Sequence, residues 1–87
     1  MIHASLNGAS MTTREAAHAE LARALHFPEY YGANIDALWD LVSTMEAELT
    51  LTNVTAMQSA LGIYGSKILE TLREADRENP TFTFRME

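Results

Sequence analysis

Apolar and polar residues alternate at the start of the chain, with Ile2, Ala4 and Leu6 on one side of residues 2–6 and His3 and Ser5 on the other. A period of two predicts a half-buried β-strand. Asn7-Gly8 supplies a turn. The period then lengthens: Ala17, Leu21, Ala24 and Leu25 form a helical stripe reaching about residue 26, and Thr12 followed by Glu15 has the spacing of a capping box. Pro28 breaks this pattern, so Phe27-Pro28-Glu29-Tyr30-Tyr31-Gly32-Ala33 reads as an ordered loop with Gly32 at its bend. Asn34 is a good N-cap for a second helix running to about Met45.

Alternation returns over residues 49–53, LTLTN, as a second strand, and Asn53 or Thr55 can cap a short helix that Gly62 ends. Ser66 can cap a fourth helix, whose stripe is Ile68, Leu69, Leu72 and Ala75 and which Asn79-Pro80 stops. Residues 81–86 place Phe82, Phe84 and Met86 on one face of a third strand. The expected order is βααβααβ. Helical connections between successive strands favour parallel pairing, hence an α/β fold with a small three-stranded parallel sheet. Strict alternation in every strand places the helices mainly on one face. A chain of 87 residues without repeats, linkers or low-complexity segments fits one domain over residues 1–87.

Composition narrows the setting. There is no cysteine, which excludes a disulfide framework or thiolate metal site and fits a reducing compartment. The N-terminus has no basic start followed by an apolar run, and no stretch approaches the roughly 20 apolar residues of a membrane span. The expectation is a soluble, cytoplasmic protein. Six Lys or Arg against twelve Asp or Glu leave a net charge of −6. A negative field repels phosphate backbones, which argues against direct nucleic-acid binding and for a basic partner. The charge is also uneven: residues 24–66 contain no Lys or Arg but hold Glu29, Asp36, Asp40, Glu46 and Glu48. Phe27, Tyr30, Tyr31 and Trp39 lie in the same stretch. Uncompensated carboxylates beside clustered aromatics have the composition of an interface.

On a wheel at ~100° per residue, Ile35, Leu38, Leu41, Val42 and Met45 share the core arc of the second helix. Asp36, Asp40 and Ser43 lie opposite, with Ala47 just beyond and Trp39 at the border. Like charges at i and i+4 repel, so Asp40 gains nothing locally, while Asp36 sits in the first turn where the macrodipole favours an anion. A solvated acidic face accounts for the spacing; the neighbouring Tyr-Tyr-Gly and Trp39 and the lack of a cation point instead to a partner. Other candidates carry less. In Gly62-Ile63-Tyr64-Gly65-Ser66-Lys67 the glycines are too close for a P-loop and Ser precedes Lys, and the GxxG spacing of a KH loop lacks basic residues between its glycines. Helix capping and packing explain it, and Tyr64 reads as packing. His3, His18 and His26 lack ligand spacing and fall in separate elements, so no metal site is expected. Nothing beside Asp36 and Asp40 supplies a nucleophile or keeps one carboxyl protonated, so no catalytic residue is assigned.

The segment Phe27-Pro28-Glu29-Tyr30-Tyr31-Gly32-Ala33-Asn34-Ile35-Asp36-Ala37-Leu38-Trp39-Asp40 resembles the signature of the barstar family, intracellular protein inhibitors of bacterial ribonuclease. Weaker, colinear similarity extends through Asn7-Gly8, the strand 49–53, Arg73-Glu74-Ala75 and the β-rich C-terminus. The resemblance implies a barstar-like fold and a non-enzymatic inhibitor that needs no cofactor and forms, as a monomer, a one-to-one complex with a basic ribonuclease. It implies a surface in which Asp40 enters the nuclease cleft, Asp36 meets basic residues at its rim or floor, and Tyr30 packs near the catalytic histidine. Tyr31, Gly32, Asn34, Ile35, Trp39 and Ser43 would complete it, and Glu74 would add an outlying ion pair. The chain departs from the family pattern at Thr44 for a glycine, Met45 for a tryptophan, Thr71 for an apolar contact and Ala47 for an acidic contact. Glu46 and Glu48 are the candidates to replace that acid. A barstar-like module for a non-nuclease basic protein is the alternative.

Overall fold

Three strands with apolar residues at alternate positions pair into one parallel sheet. The computed structural model describes residues 1–87, with β1 at Ile2–Asn7, β2 at Ala47–Thr52 and β3 at Phe82–Met86. β2 lies between β1 and β3 and runs parallel to both. The register sets Ala4 beside Leu49 and Leu49 beside Phe84, so apolar side chains line up across one face. The opposite face carries polar residues, among them Glu48, which lies 3.4 Å from His3 and 4.0 Å from Arg85. The crossovers that parallel strands require are two helix pairs: α1 (Arg14–Leu25) with α2 (Ile35–Val42), then α3 (Val54–Leu61) with α4 (Ile63–Glu78). The fold is thus α/β in the expected order βααβααβ, with a short 3-10 turn at Gly8–Ser10 after β1. Leu6, Leu21, Leu38, Leu49, Ile68 and Phe82 are fully buried between sheet and helices, each contributing about 2 kcal/mol relative to exposure. No helix is long and apolar enough to cross a membrane.

Several boundaries differ from the sequence expectation, each for a structural reason. The cap of α1 is Thr13, not Thr12; its hydroxyl accepts from the Ala16 amide at 3.0 Å. Asn53 precedes α3 without capping it: its backbone is left-handed, with φ of 52°, unlike the extended caps of α1 and α2, and its side-chain amide donates to Asn7 Oδ1 at 2.8 Å. α4 begins at Ile63 rather than after Ser66, since Gly62, with φ of 59°, turns the chain by itself. Gly65 lies inside that helix, where a Cβ would stand 3.3 Å from the Leu61 Cβ of α3. The positive φ in the loop before α2 belongs to Ala33, at 53°, not to Gly32. A Cβ at Gly32 would instead crowd the Asn34 side-chain nitrogen at 3.3 Å.

α2 also stops at Val42, with Ser43 as its C-cap, so Met45 lies in the link to β2 rather than on the helix. A contact from far along the chain ends it. Asn79, buried at the end of α4, donates to the backbone oxygens of Val42 at 3.1 Å and Met45 at 2.9 Å. Its own oxygen accepts from the Thr81 amide at 3.0 Å and the Thr81 hydroxyl at 2.7 Å. One side chain therefore ties the end of α2 to the start of β3, and removing it takes the donor from the buried Val42 carbonyl, while the Met45 carbonyl keeps the Thr81 hydroxyl. Asn79→Ala should cost about 2–3 kcal/mol, read as a lower urea midpoint with an unchanged slope; a midpoint within error of wild type would show the tie to be dispensable.

Candidate partner-binding surface

Asn34 starts α2 as the sequence suggests, its side-chain oxygen accepting from the Ala37 amide at 2.7 Å. The cap fixes the helix rotation. Leu38 and Val42 are buried, Ile35, Trp39 and Leu41 are half-buried, and Asp36 and Asp40 are exposed. Neither aspartate takes part in any of the ion pairs, His3–Glu48, Arg23–Glu20 and Arg85–Glu48, and neither carboxylate accepts a hydrogen bond; the hydroxyls of Ser43 and Thr44 reach only the backbone oxygen of Asp40. Tyr30 points into solvent with 85% of its surface exposed. Tyr30, Gly32 and Asp40 border one depression of about 210 Å³. Ile35, Asp36 and Trp39 border another, of about 340 Å³, completed by Thr71 and Glu74 from α4. Glu74 is thus brought beside Asp36 from the far end of the chain, and Asn34 lies between the loop and the helix. Ser43 stands apart at the C-terminal end of α2, where its hydroxyl reaches the Asp40 carbonyl at 3.5 Å.

Tyr31 borders the first depression too, but its hydroxyl turns inward. Its ring packs on Phe27 at 4.7 Å between centroids, and its hydroxyl lies 2.6 Å from His18 Nδ1. His18 is 2% exposed within α1, and its Nε2 lies 2.6 Å from the Tyr64 hydroxyl of α4. A neutral imidazole offers one N–H and one lone pair, so one tyrosine donates to it and the other accepts from it. Arg14 stacks over the Tyr64 ring at 4.3 Å from its centroid. These residues border a groove of about 730 Å³ that ends at Asn34, Ile35 and Asp36.

The sequence model described as "Barstar (barnase inhibitor)" matches residues 1–87. The chain belongs to the barstar family. A protein of Bacillus subtilis (strain 168) named "Putative ribonuclease inhibitor YrdF" is 36% identical over 76 residues, 84% of either chain. Against the barstar pattern, Ala47 is 0% exposed as the first residue of β2, so it occupies a core position rather than a surface one. Glu48 belongs to the sheet face away from the helices, beside His3 and Arg85. Glu46 is exposed in the link between α2 and β2.

The pattern of charges pointed to α2, but it missed what holds the loop. His18 and Tyr64 read as unremarkable from spacing alone. His18 nevertheless precedes Leu21 by three and Leu25 by seven residues, which places it on the buried stripe of α1 and was the available signal. His18 and His26 also share an element, His26 being the C-cap of α1. No cluster of three or more His, Cys, Asp or Glu is placed to hold a metal.

Burial holds the His18 pKa below its ordinary 6.5, against a smaller opposing effect of Glu15. An unfolded histidine therefore takes up its proton first, and stability falls as pH drops below about 6.5. Burial pushes the Tyr31 hydroxyl well above its ordinary 10.0, and Tyr64 adds to the shift. Here the fold retains its proton longer, so stability falls as pH rises past about 10. Urea midpoints should be level between these limits, with His18→Gln flattening the acid limb and Tyr31→Phe the alkaline limb. Limbs unchanged by these substitutions would assign the pH dependence to other groups.

Proposed function

We propose that this protein inhibits a basic microbial ribonuclease by covering its active site with α2 and the loop before it. The reading rests on family membership and on one observation: the carboxylates of Asp36 and Asp40 are exposed on α2 with no cation or hydrogen-bond donor of their own chain. A ribonuclease cleft gathers Arg and Lys to hold substrate phosphate, and a carboxylate placed among them makes the same kind of charge-assisted hydrogen bond. Asp40 enters the cleft and Asp36, with Glu74, meets basic residues at its edge. Tyr30 and Trp39 supply rigid contact area at low conformational cost, with Gly32, Asn34, Ile35 and Ser43 around them. Tyr31 borders the same depression as Tyr30 and is braced from behind by His18. Glu46, not Glu48, replaces the acidic contact of the family pattern, because Glu48 is held on the opposite sheet face. One copy covers one cleft, and inhibition requires no bond-making step.

Mixing the protein with small basic microbial ribonucleases should abolish cleavage by at least one of them at equimolar ratio. Full activity of all of them at micromolar excess would refute the proposal and leave a module for another basic protein. With the inhibited enzyme, Asp40→Ala should weaken binding by about 2–5 kcal/mol, as when one partner of a desolvated charge pair is truncated. A loss below about 0.5 kcal/mol, typical of a solvated surface residue, would remove Asp40 from the contact. The association rate should fall steeply from low to high salt while the dissociation rate changes little; a flat association rate would exclude steering by the acidic face.

A further inference from the structure

Residues 27–33 connect α1 to α2 with no strand or helix of their own. Their backbone is held lightly: the Phe27 amide donates to Ala22 O, and the Tyr31 amide donates to Pro28 O, each at 3.0 Å. The side-chain hydrogen bond from this loop to another element is that of Tyr31 with His18. Tyr30 and Tyr31 are adjacent, so the residue that fixes Tyr31 inward also fixes Tyr30 outward. His18 in turn is braced by Tyr64 from α4, and its ring meets both tyrosine rings at centroid distances of 5.7 and 5.8 Å.

We propose that His18 is the positioning residue of the loop: its imidazole bridges Tyr31 and Tyr64, ties residues 27–33 to α1 and α4, and holds Tyr30 in its outward orientation before any partner arrives. The functional consequence rests on the inhibitory role proposed above, but the lock itself is a property of the free protein. Its chemistry favours the neutral ring, which supplies the one donor and one acceptor that two tyrosines can both use. The groups facing the ring are Tyr31 from the loop, Tyr64 from α4, and Arg14 and Glu15 from α1, and the groove they share is also lined by Glu29 of the loop and Asp36 of α2. A protonated ring would have two donors to place and a charge to bury, with the Arg14 guanidinium already over Tyr64. Acid therefore loosens the loop before it loosens the core.

Amide exchange of the free protein tests this directly. In His18→Leu the protection of the Tyr31 amide should fall about tenfold, the worth of one hydrogen bond of ordinary net strength, while β2 amides keep theirs. Tyr64→Phe removes a single hydroxyl on α4 and should shift the same amide in the same direction, which covers the case in which His18→Leu does not fold. Between pH 7 and about pH 5, spanning the ordinary histidine range, wild-type Tyr31 protection should fall relative to β2. In His18→Gln, which keeps a donor and an acceptor but does not titrate, it should stay level. Equal losses in loop and core, or a Tyr31 amide indifferent to these substitutions, would overturn the assignment. With a ribonuclease that the wild type inhibits, His18→Leu should also reduce the effect of Tyr30→Ala on affinity, since an unpositioned Tyr30 has less to lose. Undiminished loss on Tyr30→Ala would overturn the link to binding. A wild type that inhibits no ribonuclease would refute the function while the exchange measurement still decides the lock.

Discussion

Because β1, β2 and β3 run parallel, each connection must carry the chain back to the same end of the sheet, and residues 8–46 and 53–81 do so. A sheet of three strands offers little area, and its polar face shows that both crossovers pack on the other side. α1 and α2 therefore belong to a long excursion whose middle pairs with no strand. The proposed blocking surface is built in that excursion, and its accuracy depends on what pins it from within. Two buried polar side chains do this at its two ends: His18 takes the loop through Tyr31, and Asn79 takes the carbonyls at the end of α2.

The parts of the fold that could be read from the chain are those fixed by neighbours a few residues apart. Alternation in residues 2–6 and 82–86, the Asn34 cap and the stripe Ile68, Leu69, Leu72 and Ala75 all express local geometry, and all are found where the pattern puts them. What escaped is set over long separations. The end of α2 depends on Asn79, 37 residues away, and the role of His18 depends on Tyr64, 46 residues away. The early start of α4 is a local exception: Gly62 turns the chain by itself, and Gly65 packs against Leu61, four residues before it. The carboxylates of the candidate site were legible for the opposite reason. Exposed charge with no nearby opposite charge is a property of the sequence that folding does not conceal.

The electrostatic design is economical. Within α2 the two aspartates mildly repel; the helix N-terminus favours Asp36, but no cation of the chain pairs with either. Exposed and unpaired, they keep their hydration until a partner removes it. A cationic cleft can compensate that loss, whereas a neutral or acidic one cannot. In the proposed complex, partner choice would follow as much from whom the surface excludes as from whom it attracts. Glu48 illustrates the contrast: engaged with His3 and Arg85 on the far side of the sheet, it is withdrawn from this role.

The same placement separates two kinds of residue along one short segment. Leu38 and Val42 face the core, Asp36 and Asp40 face out, and both ties that hold the segment reach it from behind. Substitutions on the outward side leave the packing and both ties intact. A lineage of such proteins can therefore exchange its outward residues one at a time, trying new surfaces against a diversifying set of enzymes, while the scaffold that presents them is inherited unchanged.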